Sequence, residues 1–223
     1  AFVLRAVLGQ PDRAQLAPDQ RQRHQPRRAR GLVDFAPMDQ HDHLRARVER
    51  LRLVPWGVER IAVTEDDKRA VRAKYSLPSE FLLFVGTVEP RKNLKRLVEA
   101  ISTMRSPLPL VVAGAMGWGE SGIENADNVH FIGFVADGDL PALYSSARVF
   151  CYPSEREGFG MPVLEAMSQG TPVVTSQGTS TEEVAGGAAV LVDPFSVDDI
   201  RRGIDEALAR RNELIIWGHR QAA

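Results

Sequence analysis

Short apolar runs alternate with amphipathic segments along most of the chain, and this alternation restricts the folds open to it. Runs of strand length lie at residues 81–86, 108–114, 128–135, 149–152, 171–176 and 188–194. Helices are predicted at residues 66–75, 93–101, 137–147, 162–167 and 196–210. Apolar runs of this kind are typical of buried parallel strands. The pattern therefore predicts a doubly wound parallel α/β sheet over about residues 51–211.

Three segments fall outside this alternation. A short strand is predicted at residues 51–54. Residues 178–187 are polar and are expected to form a loop with at most one helical turn, and the helical pattern weakens after residue 213.

Residues 1–50 differ in composition from the rest of the chain. Residues 11–30 contain a single leucine, Leu16, and show neither a strand nor a helix period. Such a segment cannot bury enough apolar surface to offset its ordering entropy. We therefore expect residues 1–50 to be poorly structured, or a remnant foreign to the domain, and residues 51–223 to form one domain. The arginines at residues 21–30 have no interleaved aromatic residues, so no nucleic acid partner is expected.

Composition excludes several other classes of protein. The formal net charge of −1 gives no general argument for binding nucleic acid or an anionic membrane. No apolar stretch approaches the roughly 18 residues that span a bilayer, and no signal peptide is recognisable, so a cytoplasmic location is expected. The single cysteine, Cys151, lies in an apolar run and is interpreted as a core thiol. The pair His41 and His43 has no carboxylate or cysteine cluster nearby, so no metal site is predicted.

Two glutamates, Glu157 and Glu165, flank a glycine-containing loop between the strand at 149–152 and the next helix. Pro162 suits the first turn of that helix, because its missing N–H costs nothing there. A loop of this kind presents free N–H groups and the positive end of the helix dipole, which favour an anion such as phosphate. Both carboxylates can then face one cleft and hold sugar hydroxyls. By spacing alone, a surface loop with incidental charge is the commoner explanation.

Arg91 and Lys92 follow the strand at 81–86, and Asn93 is predicted to cap the helix after them. Ligands of open α/β sheets bind at the carboxyl ends of the strands. The fork of Arg91 and the point charge of Lys92 suit a diphosphate there. The alternative is two solvated loop cations. The glycine patterns of dinucleotide sites and P-loops are absent, which argues against those classes.

These features, taken in order, resemble the carboxyl-terminal, donor-binding domain of retaining glycosyltransferases of the GT-B fold, family 4, or group 1. The resemblance covers about residues 48–211, and its motifs are specific together though not singly. They are VPWGVE at 54–59, VGTVEPRKNLKRLVEA at 85–100, AGAMGW at 113–118, VHFIGFVADGDLPALYSSA at 129–147, PSEREGFGMPVLEAMSQGTPVVTS at 153–176 and EVAGGAAVLVDPFSVDDI at 183–200.

The resemblance implies a Rossmann-like half of a GT-B fold that binds a nucleotide diphosphate sugar. It implies that Lys92 and Arg91 contact the diphosphate, that Glu157 holds the donor sugar, and that Glu165 binds the ribose hydroxyls. Glu157, Lys92 and Arg91 are accordingly assigned to catalysis.

Further binding positions are implied along the same edge. They are Gly86, Thr87, Phe159, Gly160 and Met161 beside the sugar and phosphates, and the loop around Phe134 and Val135 for the base. Some relatives carry arginine where this chain has Thr87, so one cation of the diphosphate site is expected to be missing.

The implied activity is hexosyl transfer from a GDP- or UDP-linked donor, with mannose as the favoured sugar, to a glycan, lipid or natural-product acceptor. The resemblance also implies that no cofactor or metal is needed, and Arg91, Lys92 and the helix end are then the expected source of positive charge for the leaving diphosphate. A GT-B epimerase or phosphorylase is not favoured, because the former would not keep these motifs and the latter needs a pyridoxal lysine context.

Relatives bind the acceptor through an amino-terminal domain, and nothing in residues 1–50 matches it. Transfer by this chain alone is therefore doubtful. The alternative hypothesis is an isolated nucleotide-sugar-binding module, or a truncated fragment, without turnover. Peripheral contact with a membrane is left open.

Overall fold

The computed structural model describes residues 57–117, 123, 126 and 128–223. Within them, six strands form one parallel sheet of order β3-β2-β1-β4-β5-β6. The strands are β1 (Leu82–Val85), β2 (Leu110–Ala113), β3 (Val129–Gly133), β4 (Val149–Tyr152), β5 (Val173–Ser176) and β6 (Val190–Val192). The predicted doubly wound α/β fold is confirmed. The predictions for residues 1–50 and for a strand at 51–54 lie outside the described residues.

Seven α-helices are described in the same part of the chain. They are α1 (Glu65–Lys74), α2 (Leu94–Ser102), α3 (Leu140–Ser146), α4 (Met161–Ser168), α5 (Ser180–Ala185), α6 (Val197–Ala209) and α7 (Arg211–Gln221). A 3-10 turn at Pro90–Lys92 precedes α2. α2 packs against α6, whereas α4 packs against α3, α5 and α7. The helices therefore form two groups, as a doubly wound sheet requires.

The prediction of a loop at residues 178–187 is wrong. α5 occupies six of these residues, and the side chain of Thr179 caps it by accepting a hydrogen bond from the N–H of Thr181. Thr181, Val184 and Ala185 are buried. Tertiary burial thus stabilises a helix that the polar sequence did not indicate.

The sheet is held together by buried side chains on its central strands. All residues of β2, β4 and β5 are buried. The Tyr152 ring stacks between Phe84 and Phe150, with centroids 5.7 and 5.5 Å away. This aromatic row crosses from β1 to β4, so it fixes the two strands whose loops form the crevice described below.

The order of the strands places a topological switch point between β1 and β4. The chain runs outward from β1 to β2 and β3, then returns to β4 on the other side of β1. Loops that follow two such strands diverge, and ligands of open α/β sheets bind in the crevice between them. Arg91 and Lys92 follow β1, and Glu157 follows β4.

Gly114 marks the closest approach of two backbones at this edge. Its φ is 142°, and a Cβ atom there would lie 2.2 Å from the carbonyl oxygen of Gly86. Gly114→Ala is therefore expected to lower the free energy of unfolding by about 3 kcal/mol, measured in urea. Gly138→Ala is the matched control, because nothing lies within 4 Å of its Cβ position. Equal losses in the two variants would contradict this account.

Candidate functional site

A buried ion pair joins the two loops at the switch point. Lys92 Nζ lies 2.7 Å from Glu157 Oε1, and each side chain is only 8% exposed. Lys92 is therefore not the solvated loop cation that the sequence left as an alternative. The pair therefore ties together the loops after β1 and β4, on the two sides of the switch point.

Arg91 extends this pair into a chain of alternating charges. Its NH1 atom lies 3.0 Å from Glu157 Oε2, and its Nε atom lies 2.8 Å from Glu89 Oε2. The cluster of Arg91, Lys92, Glu89 and Glu157 therefore carries no net formal charge. The Arg91 side chain is 43% exposed, so it forms the open side of the cluster.

Tyr152 lies against Lys92 at the end of β4. Lys92 Nζ donates a hydrogen bond to the Tyr152 hydroxyl and lies 4.8 Å from the centroid of its ring. Burial, with the charge of Glu157, raises the pKa of the Tyr152 hydroxyl. The hydroxyl is therefore neutral at physiological pH.

The charge state of Glu157 follows from two opposed effects. Burial alone would raise its pKa, but the hydrogen bond and charge of Lys92, with help from Arg91, outweigh burial and lower the pKa. The pKa of Arg91 is raised, because the charge and hydrogen bond of Glu157 outweigh the opposing effect of burial. Glu157 and Arg91 are both charged at neutral pH.

Asn93 connects three loops beside Lys92. It occupies the predicted N-cap position of α2, but its backbone is left-handed (φ 62°) and its side chain does not cap the helix. Its Nδ2 atom donates instead to the carbonyls of Pro153 at 2.9 Å and Pro194 at 2.6 Å. Asn93 is thus the N-cap residue, as predicted, but Oδ1, the atom that would cap the helix, accepts instead from Arg96 NH1 at 2.8 Å.

The glycine loop begins α4 as predicted, with Pro162 in the first turn. Gly160 has a φ of 106°, and a Cβ there would lie 2.7 Å from Thr181 Cγ2 of α5. Ser180 Oγ donates to the carbonyl of Glu157 at 3.0 Å. The unexpected helix α5 therefore supports the loop that carries Glu157.

Glu165 lies one turn into α4, as predicted, and is half-buried. The hydroxyl of the buried Tyr144 donates to its Oε2 atom at 2.8 Å. Burial, followed by the charge of Glu165, raises the pKa of Tyr144. No hydrogen bond or ion pair of the described residues joins Glu165 to the Lys92–Glu157 pair, so the two carboxylates have separate surroundings.

Tyr144 and Tyr152 contact predicted site residues but were not themselves predicted from the sequence. They lie in segments whose apolar pattern predicts a helix and a strand, respectively. A buried tyrosine carries a hydroxyl that needs a partner, and that requirement is the signal that points to them.

The other predicted positions border the crevice or lie beyond β3. Gly86 follows β1 with a φ of 148°, and Thr87 after it is exposed. Phe159 and Met161 are half-buried. Phe134 is 79% exposed, whereas the side chain of Val135 is buried. Contacts of these residues with a ligand stay predictions.

In the part of the chain that the structure describes, no group of three or more His, Cys, Asp or Glu residues is placed to hold a metal ion. No helix within those ranges has both the length and the apolar character needed to cross a membrane. Cys151 is fully buried, and burial raises its pKa, as expected for a core thiol. His41 and His43 lie outside the described residues.

Comparison with known families and proteins gives consistent matches. Residues 67–220 match the family described as Glycosyl transferases group 1. The O-antigen chain mannosyltransferase B of Escherichia coli is 37% identical over 187 residues, which are 73% of this chain and 49% of that protein. The serotype-specific mannosyltransferase WbdA of Escherichia coli is 36% identical over 173 residues, 72% of this chain and 20% of that one. This chain thus spans about half, or less, of the length of these curated relatives.

Solved structures share the fold. A sucrose-phosphate synthase from Thermosynechococcus elongatus superimposes with a TM-score of 0.65 at 25% identity, over 82% of this chain and 51% of that chain. Anabaena HepE in complex with UDP and glucose gives a TM-score of 0.61 at 21% identity, over 72% of this chain and 47% of that chain.

Glu157 is expected to make stability depend on pH. Because its native pKa is lowered, its stabilising effect is present above the unfolded-state pKa of about 4.3 and is lost as pH falls through the native value. Glu157→Gln should lower the free energy of unfolding by about 3 kcal/mol at pH 7 and by much less at pH 3, measured in urea. Glu99→Gln changes an exposed carboxylate of α2 and is the control. A loss of equal size at both pH values would refute the assignment.

Proposed function

Because the chain belongs to the group 1 glycosyltransferases, we propose that it is the donor-binding half of a retaining hexosyltransferase of the GT-B fold. The proposed reaction transfers a hexose from a nucleotide diphosphate sugar to a glycan, lipid or natural-product acceptor. The observation that carries the proposal is the cluster of Arg91, Lys92 and Glu157 across the switch point. It sets two cations and a carboxylate where an α/β sheet binds ligands.

In this proposal, Arg91 and Lys92 bind the diphosphate. Lys92 Nζ has three N–H donors, of which Glu157 and Tyr152 accept two, so one is left for a phosphate oxygen. Arg91 donates from Nε and NH1, and its NH2 atom makes no hydrogen bond to the described residues. The amino end of α4 adds its dipole. These charges suit a leaving diphosphate, so we infer that neither a metal nor another cofactor is required.

The carboxylates are assigned to hydroxyl groups. Each carboxylate oxygen of Glu157 accepts from one cation, Oε1 from Lys92 and Oε2 from Arg91. A carboxylate has about four lone-pair sites, so Glu157 can also accept from donor-sugar hydroxyls. Tyr144 donates to Oε2 of Glu165, which leaves Oε1 for the ribose. Separate surroundings for Glu157 and Glu165 are consistent with two different parts of one ligand.

The remaining contacts follow the same edge of the sheet. Gly86, Thr87 and the loop of Phe159, Gly160 and Met161 are proposed to border the sugar and phosphates. The exposed Phe134, with the backbone of Val135, is proposed to contact the base.

The donor is proposed to be a GDP- or UDP-linked sugar, with mannose favoured. Support comes from the Escherichia coli mannosyltransferases and from HepE, whose structure contains UDP. The acceptor is proposed to bind through a separate amino-terminal domain. We also propose a cytoplasmic location and a peripheral contact with a membrane.

The second candidate function is a nucleotide-sugar-binding module without turnover. Binding and transfer are separable properties, and the described residues contain the proposed donor site, the cluster of Arg91, Lys92 and Glu157. The two candidates share the donor site and differ only in transfer.

Lys92→Ala is expected to weaken binding of GDP- and UDP-sugars about tenfold or more, because a charge-assisted hydrogen bond contributes about 1.5–3 kcal/mol. Isothermal calorimetry measures the dissociation constants. Lys95→Ala removes an exposed lysine from the start of α2 and should leave affinity unchanged. Unaltered affinity of folded Lys92→Ala would exclude the diphosphate assignment.

Turnover distinguishes the two candidate functions. This chain by itself is expected to bind a nucleotide sugar but to release nucleotide only at the background rate, because the acceptor-binding half would be missing from the assay. The measurement is nucleotide release with glycan and lipid acceptors present. Robust transfer by the 223-residue chain would contradict the expectation and favour a complete enzyme.

A further inference from the structure

We propose that Tyr152 is a positioning residue that keeps the Lys92 ammonium in the crevice when the donor binds. The inference rests on the proposed function, because it assigns Lys92 to the diphosphate. Lys92 Nζ contacts two groups of different character, the Glu157 carboxylate and the Tyr152 hydroxyl. Of these two groups, only the Glu157 carboxylate is itself proposed to bind the ligand.

Glu157 has two proposed tasks that compete with each other. It holds Lys92 at 2.7 Å, and it is the carboxylate proposed to accept the donor-sugar hydroxyls. An arriving diphosphate also repels Glu157 and competes with it for Lys92. A second partner that does not bind the ligand is therefore needed to keep the ammonium in place.

Tyr152 meets this requirement because it cannot readily move. It is 1% exposed, and its ring stacks on Phe84 of β1 and Phe150 of β4. Thr175 Oγ1 donates to its carbonyl at 3.0 Å, and β5 pairs with β4 at the same position. Displacing the Tyr152 hydroxyl would require a rearrangement of the centre of the sheet.

The chemistry of a tyrosine also suits the task. Its hydroxyl accepts one hydrogen bond from Lys92, and its ring, 4.8 Å from Nζ, adds a cation–π attraction. Burial raises the pKa of the hydroxyl, so it carries no negative charge at neutral pH. A second carboxylate in this place would also hold Lys92, but it would repel the diphosphate.

Tyr144 provides a matched comparison. It is also a buried tyrosine whose hydroxyl meets a proposed donor-binding residue, but its partner is Glu165 rather than Lys92. Tyr144→Phe therefore makes the same chemical change at a position that acts through a different residue.

The test is a double-mutant cycle on the full chain, with UDP and GDP as the probes and calorimetry as the readout. Tyr152→Phe should weaken the better-bound nucleotide about three- to tenfold. In a Lys92→Met background, Tyr152→Phe should have no further effect, because the residue through which it acts is gone. Tyr144→Phe should weaken binding by a similar factor in both backgrounds. Melting temperatures establish that each variant is folded.

The outcomes separate this inference from the proposed function. Wild-type affinity in Tyr152→Phe, an equal loss in both backgrounds, or failure of Tyr152→Phe to fold would each overturn the positioning role. If one of these outcomes is found but Lys92→Met still binds the nucleotide more weakly than the wild-type chain, the proposed diphosphate site is retained without a role for Tyr152. If the wild-type chain binds neither UDP nor GDP, the proposed donor site and this inference both fail.

Discussion

The ion pair between Lys92 and Glu157 is the contact on which the arrangement of the crevice depends. It joins residues 65 positions apart, from loops that follow neighbouring strands of the sheet. Removing two charges from water is unfavourable, and buried ion pairs often stabilise a fold no better than apolar residues of similar volume. Stability alone therefore does not account for the pair. The proposed function accounts for it: in that proposal, Glu157 is an internal anion that pairs with the cations until the diphosphate binds.

The framework around this pair could be predicted from the sequence, because it depends on local pattern. A buried parallel strand needs a short apolar run on both faces, and all six predicted runs from residue 81 onward contain strands. The loop-to-helix junction at Pro162 also follows from local rules. Helix α7 could not be predicted from local pattern, because only two of its residues, Leu214 and Gly218, are buried. A helix that packs closely through a glycine, here against Met167, has too few apolar residues to show a strong period.

The side chains that hold the site together could be predicted only in part. Arg91, Lys92 and Glu157 were recognised because they are charged residues in loops after apolar strands, and Glu165 because it lies in the helix that follows the glycine loop. The partners that orient them were not, since Asn93 bonds to carbonyls 60 and 101 positions away, and Tyr152 meets Lys92 across 60 positions. Local pattern assigns an asparagine to a cap and a tyrosine to the core. Only the fold determines which distant group satisfies each amide or hydroxyl.

The charge arrangement also fits the direction of the proposed reaction. Cleavage of a glycosyl phosphate bond leaves negative charge on the diphosphate and develops positive charge on the sugar ring. In the proposed function, Arg91 and Lys92 meet the first of these charges and Glu157 meets the second, and the three side chains already lie in contact with one another. Fixed charges aimed at a developing charge separation stabilise a transition state more than a ground state. In the proposed function, therefore, the buried ion pair at the switch point serves the charge separation of the reaction rather than the stability of the fold.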